Sequence, residues 1–424
     1  MNVEVHIDWA GRTHLVGRLY SAAKSAAVSF EYDDTWLARG DTFPIDPLRL
    51  SLESSAHNAP VLFSALQDCG PDRWGRVLIE RAVRKGLMAA KPYQEIDFVL
   101  ALDDFSRIGA LRFRPLDGGP FLAPGDNKLP PVVRLSALVA AADAIHHETE
   151  TARDLRFLLG AGSPVGGARP KSVVQLADGS LAIAKFPRPD DRRSIATGEI
   201  LALALARKAG ISTADHQLVR ADDKEVAVIT RFDRRGGQRI PFISAQTLLG
   251  LSAGNDGSYV TLAEGIRRYG DQVQQDLREI FSRMVFSMLI CNRDDHLRNH
   301  GFLQHSPGRW SLSPAYDLNP VPITEQVHES TTPISEETTP ATIAGALSVA
   351  NRFGLTAVEA RDRVQTITAA VSTWKQTAAK LGLASKQVNA YASAFEHPVI
   401  EEARAIGAAP VSLAAARPRR GISP

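Results

Sequence analysis

Apolar and polar residues alternate strictly from Val3 to Trp9, where Glu4, His6 and Asp8 separate Val3, Val5, Ile7 and Trp9. That period of two predicts a β-strand. Gly11-Arg12 marks a turn before Leu15-Val16, and Val28, Phe30 and Tyr32 repeat the alternation. The stretch 61–85, containing Arg73-Trp74-Gly75-Arg76-Val77-Leu78-Ile79, includes a helix, and 108–113 reads as one more strand. Asp117-Gly118-Gly119-Pro120, Pro124-Gly125-Asp126-Asn127 and Pro130-Pro131 then form a turn-rich connector. An N-terminal α/β module over 1–115 and a linker over 116–131 are expected.

Ser136 is placed to cap a helix running to His147. A Gly-rich run, 160–171, precedes a hairpin formed by Ser172–Leu176, the turn Asp178-Gly179 and Leu181–Phe186, with Lys185 near its end. Glu199 opens an apolar helix through Ala206 that is too uniformly hydrophobic for a surface. Val226–Arg234 is an apolar strand with a polar exit, closed by Arg235-Gly236-Gly237. Leu277, Ile280, Phe281, Met284, Val285, Met288 and Leu289 hold the helical period and predict a core helix. Short strands follow at 301–303 and 310–312. The segment 329–342 is too polar to pack and is expected to be a mobile loop. Helices are expected over 360–381 and 386–395, ahead of a basic, disordered tail. The chain thus divides further into 132–235, a helical 236–404 and the tail 405–424. No internal repeat is present.

Composition narrows this only slightly. The 424 residues are 44% hydrophobic, enough for more than one core, and 49 Lys and Arg against 47 Asp and Glu leave a net charge of +2. Neither nucleic acid nor membrane is indicated by charge. Two distant cysteines, Cys69 and Cys291, fit a reducing compartment, and charged residues at Glu4 and Asp8 speak against a signal peptide, so the cytoplasm is expected.

The densest polar cluster, Cys291-Asn292-Arg293-Asp294-Asp295-His296-Leu297-Arg298-Asn299-His300-Gly301, follows the core helix directly. Burying such groups unpaired would cost several kcal/mol each, roughly, so they are expected to face water, ions or a substrate. Asp294 and Asn299 are five apart (299 − 294 = 5), and Asp317 follows eighteen later (317 − 299 = 18). Phosphoryl transfer needs a carboxylate to orient the attacking hydroxyl, and an amide oxygen and a second carboxylate to hold Mg²⁺. The three residues fit those roles in chain order. Glycines at 160–167 let backbone N–H groups approach a polyphosphate, and Lys185 could reach the same phosphates, although no Walker A motif closes the run. Glu199 could pair with Lys185 or simply favour a helix N-terminus. His296 and His300 could instead ligate a metal with Asp294 or Asp295, as in a hydrolase, but no HExxH pattern accompanies them.

Gly166-Gly167-Ala168-Arg169-Pro170-Lys171, Lys185-Phe186-Pro187, Arg231-Phe232-Asp233-Arg234, Asp294–Asn299 and Tyr316-Asp317-Leu318 resemble the motifs of HipA-type serine/threonine kinases, the toxins of bacterial type II toxin–antitoxin pairs. Asp33–Leu37, Gln67–Arg76 and Ser106–Gly109 extend the resemblance to an accessory module, over roughly residues 1–400. The resemblance implies an α+β, bilobal, protein-kinase-like fold related to phosphatidylinositol kinases. It also implies ATP with Mg²⁺, phosphorylation of a protein serine on an aminoacyl-tRNA synthetase, and a small helix-turn-helix, HipB-like antitoxin. By position it makes Asp294 the base, Asn299 and Asp317 metal ligands, and Gly166, Gly167, Ala168, Lys171 and Lys185 phosphate contacts, with backbone near Thr230 and Phe232 meeting adenine. Ser163 becomes the autophosphorylation candidate, one residue before Pro164, which occupies the register position of the family's modified serine. Pro170 stands where relatives carry an acidic residue. Two alternatives remain, a small-molecule phosphotransferase and a non-catalytic corepressor of the antitoxin.

Overall fold

The structure, a computed structural model, describes residues 2–21, 25–122, 129–160, 167–251, 257–325, 332–337 and 341–408. Ser163, Gly166 and the basic tail beyond 408 lie outside the described residues.

The first sheet has the order β4-β3-β2-β1-β5, built from β1 (Val3–Trp9), β2 (Arg12–Ser21), β3 (Val28–Tyr32), β4 (His57–Ala59) and β5 (Leu111–Pro115). The turn after β1 is Ala10-Gly11, not Gly11-Arg12, because Arg12 pairs with Trp9. Both turn residues have positive φ, 51° and 75°, the hairpin geometry whose twist matches the strands. Glu4 and His6 are also buried and bonded to one another, and Glu4 accepts from Arg114 as well. The alternation therefore marks two buried faces rather than one.

The second sheet, ordered β6-β7-β9-β8, comprises β6 (Lys171–Gln175), β7 (Leu181–Lys185), β8 (His216–Ala221) and β9 (Lys224–Thr230). Helices Leu135–His146 and Ala152–Gly160 share a core with one face of it, and the helix Ile195–Lys208 contributes Ile200 against Ala227. Ser136 is not a cap: a 3₁₀ turn, Val132–Arg134, leads into the first of these helices. After the small hairpin β10 (Arg234–Arg235) and β11 (Gln238–Arg239), the strands β12 (Phe242–Ser244), β13 (Gly301–Ser306) and β14 (Arg309–Leu312) form a third sheet. Phe242 and Leu303 pack into the core of the first sheet, so the N-terminal module shares its interior with this third sheet.

The largest core surrounds the helix Val273–Leu289, whose predicted stripe is buried against the helices of residues 357–408. The helical stretch expected over 360–381 breaks at Thr373 into Ala357–Ser372 and Trp374–Lys380. A final helix, Pro398–Ala408, lies beyond those expected. The expectation for 329–342 fails over its described part. Ile334 is buried in the main core, and the amides of Tyr259 and Val260 donate to the carbonyls of Pro333 (2.9 Å) and Ile334 (3.1 Å). One apolar residue and two backbone bonds outweigh the polar composition. No helix among the described residues is long and apolar enough to cross a membrane.

Asp276, in the first turn of the core helix, accepts the amide of Leu312 at 3.1 Å. Burial pushes its carboxyl up to about 6 from 3.8, against the lowering effect of that amide. The folded protein therefore holds a proton that the unfolded chain releases, and this group's contribution to stability falls as pH rises between those values. Asp276→Asn keeps an acceptor for Leu312. It should raise stability by up to about 3 kcal/mol at pH 7.5, a gain that disappears below pH 3.8, as thermal melts at the two pH values will show.

Candidate active site

Lys185 ends β7, and its Nζ donates to Glu199 Oε1 at 2.6 Å and to Asp317 Oδ1 at 2.7 Å. Glu199 comes from the helix Ile195–Lys208, which Ser194 caps by accepting the Thr197 amide at 3.3 Å. It is four residues past the helix start (199 − 195 = 4), so pairing with Lys185, not the helix dipole, accounts for it. Burial disfavours the Lys185 charge, but Asp317 and Glu199 outweigh it and hold the ammonium firmly protonated. Burial opposes ionisation of Asp317 as well, yet Lys185 pulls it well below the usual carboxylate range. Glu199 moves upward, because burial exceeds the attraction of Lys185 and Asp317 repels it.

The core helix ends in a backbone motif that launches the polar cluster. The Cys291 amide donates to Met288 O (3.3 Å) and the Asn292 amide to Ser287 O (2.9 Å), with Cys291 left-handed at φ 49°. This 6→1 and 5→2 pair closes the helix as a glycine normally does. A non-glycine residue there costs about 1–2 kcal/mol, and the chain is turned sharply out of the core.

The cluster does not all face water. Asp294 is exposed, its side chain 58% accessible, and Arg298 is exposed, but Asn292, Asp295, Asn299 and His300 are buried. For Asp295 the expectation fails because it finds partners in other elements. The Tyr259 hydroxyl donates to Asp295 Oδ2, His300 Nε2 lies 3.2 Å from Asp295 Oδ1, and the Thr332 amide donates to Asp295 O at 2.7 Å. Burial raises the Asp295 carboxyl, but His300 and Tyr259 bring it below its ordinary value. The histidine pair thus divides: His300 is buried beside Asp295, and His296 Nε2 lies 4.0 Å from Asp294 Oδ1. No group of three or more His, Cys, Asp or Glu among the described residues could hold a metal. Nothing in the sequence linked Tyr259 to this loop.

Asn299 donates through Nδ2 to Asp294 O at 2.7 Å, which orients its side-chain oxygen away from that bond. Asp317 is left-handed at φ 57°, a conformation Asp tolerates better than most residues, and Asn319 Nδ2 donates to Asp317 Oδ1 at 3.0 Å. An amide oxygen and a carboxylate suit Mg²⁺, which takes one or two protein oxygens and completes its shell with water and phosphate. The donor set therefore fits the expected ion, with Asn299 and Asp317 as the residues that would hold it.

The other end of the cleft is apolar. Ile108, Ile183, Ile229, Phe232 and Tyr316 line a cavity that also reaches Lys185 and Asp317, and the Phe232 and Tyr316 rings are 5.4 Å apart. It encloses about 40 Å³, the space of one water rather than a purine, so a base enters only if its walls separate. The Thr230 and Arg231 amides already donate to Asp215 O (2.7 Å) and Leu181 O (2.8 Å), so neither amide is left to meet adenine.

Ile108 comes from the N-terminal module, which is tied to the exit of β9 by a buried cluster. Asp233 accepts Arg231 Nε (2.8 Å) and Nη2 (2.6 Å), Arg234 Nη1 (2.6 Å) and the Gly109 amide (2.7 Å). Arg231 also donates to the carbonyls of Ser106 (2.5 Å) and Arg107 (3.0 Å). Gly109 has φ +71°, and a Cβ there would meet the Phe242 amide at 3.2 Å, so the strap needs glycine.

Of the described glycine-run residues, Gly167 has φ +85°, Ala168 O accepts from Arg188, and Arg169 pairs with Asp191. Lys171 is turned inward, with its Nζ donating to Asp72 Oδ2 at 2.5 Å and to Gly167 O at 3.3 Å.

A small antiparallel sheet bearing a Lys–Glu pair, facing a helical lobe whose exit loop carries Asp294 and Asn299 with Asp317 beyond, defines a bilobal, protein-kinase-like fold. Family models for the HipA N-terminal domain and the HipA-like C-terminal domain match residues 8–114 and 163–387, and the chain belongs to the HipA family. The structure is similar to HipA in the Shewanella oneidensis MR-1 complex of HipA, HipB and operator DNA, with TM-score 0.67 and 16% identity over 95% of this chain and 96% of that one. A Helicobacter pylori proinflammatory kinase, CtkA, gives TM-score 0.39 and 14% identity over 57% of this chain and 94% of that one, too loose a likeness to bear on the fold. A Haemophilus influenzae protein named "Putative kinase" is 28% identical over 161 residues, 34% of this chain. The chain spans about half (47%) of that relative's length.

Proposed function

We propose that the chain is an ATP- and Mg²⁺-dependent serine/threonine protein kinase acting as a HipA-like toxin in the cytoplasm. Its acceptor is a protein serine, on an aminoacyl-tRNA synthetase as the resemblance implies. Its restraint is a small helix-turn-helix antitoxin of the HipB type, with DNA reached only through that partner. The HipB and operator DNA bound in the Shewanella complex support the partner.

The observation that carries the reading is the ammonium of Lys185 bonded at once to Glu199 and Asp317, in a chain that also carries an exposed Asp294 five residues before Asn299. In this reading Asp294 orients the acceptor hydroxyl and takes its proton, and Lys185 holds phosphate oxygens in place. Bound Mg²⁺ neutralises charge on the phosphates. Asn299 and Asp317 present their oxygens to it, while Ile108, Ile183, Ile229 and Phe232 exclude water from the base. Ser163 is the proposed self-modification site, and Gly166 and Gly167 the proposed phosphate-facing glycines.

Incubating the protein with ATP and Mg²⁺, alone and with aminoacyl-tRNA synthetases, should yield phosphoserine detectable by mass spectrometry. If neither the chain nor any synthetase gains phosphate, the protein-kinase reading is wrong.

A further inference from the structure

Asp72 and Lys171 form an ion pair 99 residues apart in sequence (171 − 72 = 99), with side chains only 3% and 2% accessible. Each atom of the pair has a second duty. Asp72 Oδ1 accepts the Gly75 amide at 2.8 Å and so caps the helix Arg73–Arg84, leaving Oδ2 for Lys171. Trp74, on that helix, donates from Nε1 to Lys171 O at 3.1 Å. Main chain and side chain of Lys171 are therefore both fixed by the N-terminal module.

The grip reaches the nucleotide side of the cleft through two routes. Lys171 begins β6 and is registered opposite Lys185, so displacing one shifts the strand that carries the other. Its ammonium also holds Gly167 O at 3.3 Å, where the chain adopts φ +85°. The positive charge of Lys171 is felt by both Glu199 and Asp317, lowering each. Removing the Asp72 charge leaves the buried ammonium drawn more strongly to other anions, and Glu199 and Asp317, which already feel its charge, belong to the Lys185 site.

We infer that Asp72 is a positioning residue for nucleotide binding, acting through Lys171, so that the N-terminal module is a working part of the nucleotide site. The inference rests on the kinase reading and adds to it a residue outside the cleft. Neutralising Asp72 acts on ground-state grip rather than on the proton transfer, so binding and turnover separate.

The test uses the full chain, with binding of a fluorescent ATP analogue and steady-state transfer measured well below the melting temperature. Asp72→Asn should raise the nucleotide Kd and KM by about tenfold with kcat nearly unchanged. Asp72→Glu, which keeps the charge, should restore most of the affinity. A folded Asp72→Asn protein with wild-type Kd overturns the inference alone, as does equal loss in Asp72→Glu. If Asp72→Asn does not fold, Asp72→Ser, which keeps an oxygen for the Gly75 amide without the charge, takes its place: a raised Kd supports the inference, and a wild-type Kd overturns it. A wild-type protein that binds no ATP overturns the kinase reading, and this inference with it.

Discussion

Asp294→Asn should lower phosphoryl transfer by about 10²–10⁴, the usual contribution of a positioned proton acceptor, while nucleotide affinity stays near the wild-type value. The separation follows from geometry. The Asp294 side chain is exposed, and the bond that Asn299 makes to this residue goes to its backbone carbonyl. The substitution therefore removes the basic oxygen while keeping the backbone carbonyl that Asn299 uses and the Lys185–Asp317 contact. Single-turnover transfer rates together with nucleotide titration check this. Transfer within about threefold of wild type would remove Asp294 from the role of base and leave the cleft in need of another acceptor.

Asp233→Asn should be among the most destabilising single changes in the chain. One carboxylate accepts bonds from two buried guanidiniums and the Gly109 amide. Burial disfavours its charge, but Arg231 and Arg234 hold its carboxyl far below the ordinary range. An amide supplies one acceptor oxygen and turns two further donors on donors. Breaking a buried charge network by removing one partner costs about 3–5 kcal/mol, which should lower the melting temperature by about 10 °C. The sign of the pH dependence is also set. A depressed folded pKa gives stability that is present above the ordinary aspartate value of 3.8 and is lost as pH falls below it. The melting difference between wild type and Asp233→Asn should therefore be full at pH 7 and shrink in acid. Because Ile108 lies between Arg107 and Gly109, both of which join this cluster, nucleotide affinity should fall together with stability. A variant that melts lower but binds ATP as wild type would show that the strap serves folding alone.

Local periodicity made much of the secondary structure legible. Val3 to Trp9, the hairpin ending at Lys185 and the stripe from Leu277 to Leu289 all form as their patterns predict, because each pattern is carried by residues close together in sequence. Failures occur where a residue's environment is set at long range. Asp295, in the polar cluster, is buried where Tyr259, 36 residues earlier (295 − 259 = 36), answers it. Ile334 anchors a polar segment that composition alone would leave unpacked. Ser136 looks like a cap, yet the helix begins from a 3₁₀ turn that a Ser one position inside cannot reveal.

For the site, the sequence by itself determined the chemistry on offer: a strand lysine, an apolar helix with one glutamate, and Asp294, Asn299 and Asp317 at fixed spacing. Residue type and order along the chain carry that information, since proton acceptors and metal ligands are a small set. Only the tertiary structure decided which alternatives hold. It joined Lys185 to Glu199 and Asp317 and separated the two histidines. It also turned Lys171 toward Asp72 and brought Ile108 to the apolar cavity beside Lys185. Those outcomes depend on contacts between residues far apart in sequence, whose partners are chosen by burial and charge pairing in the folded interior, and such choices leave no local period to read.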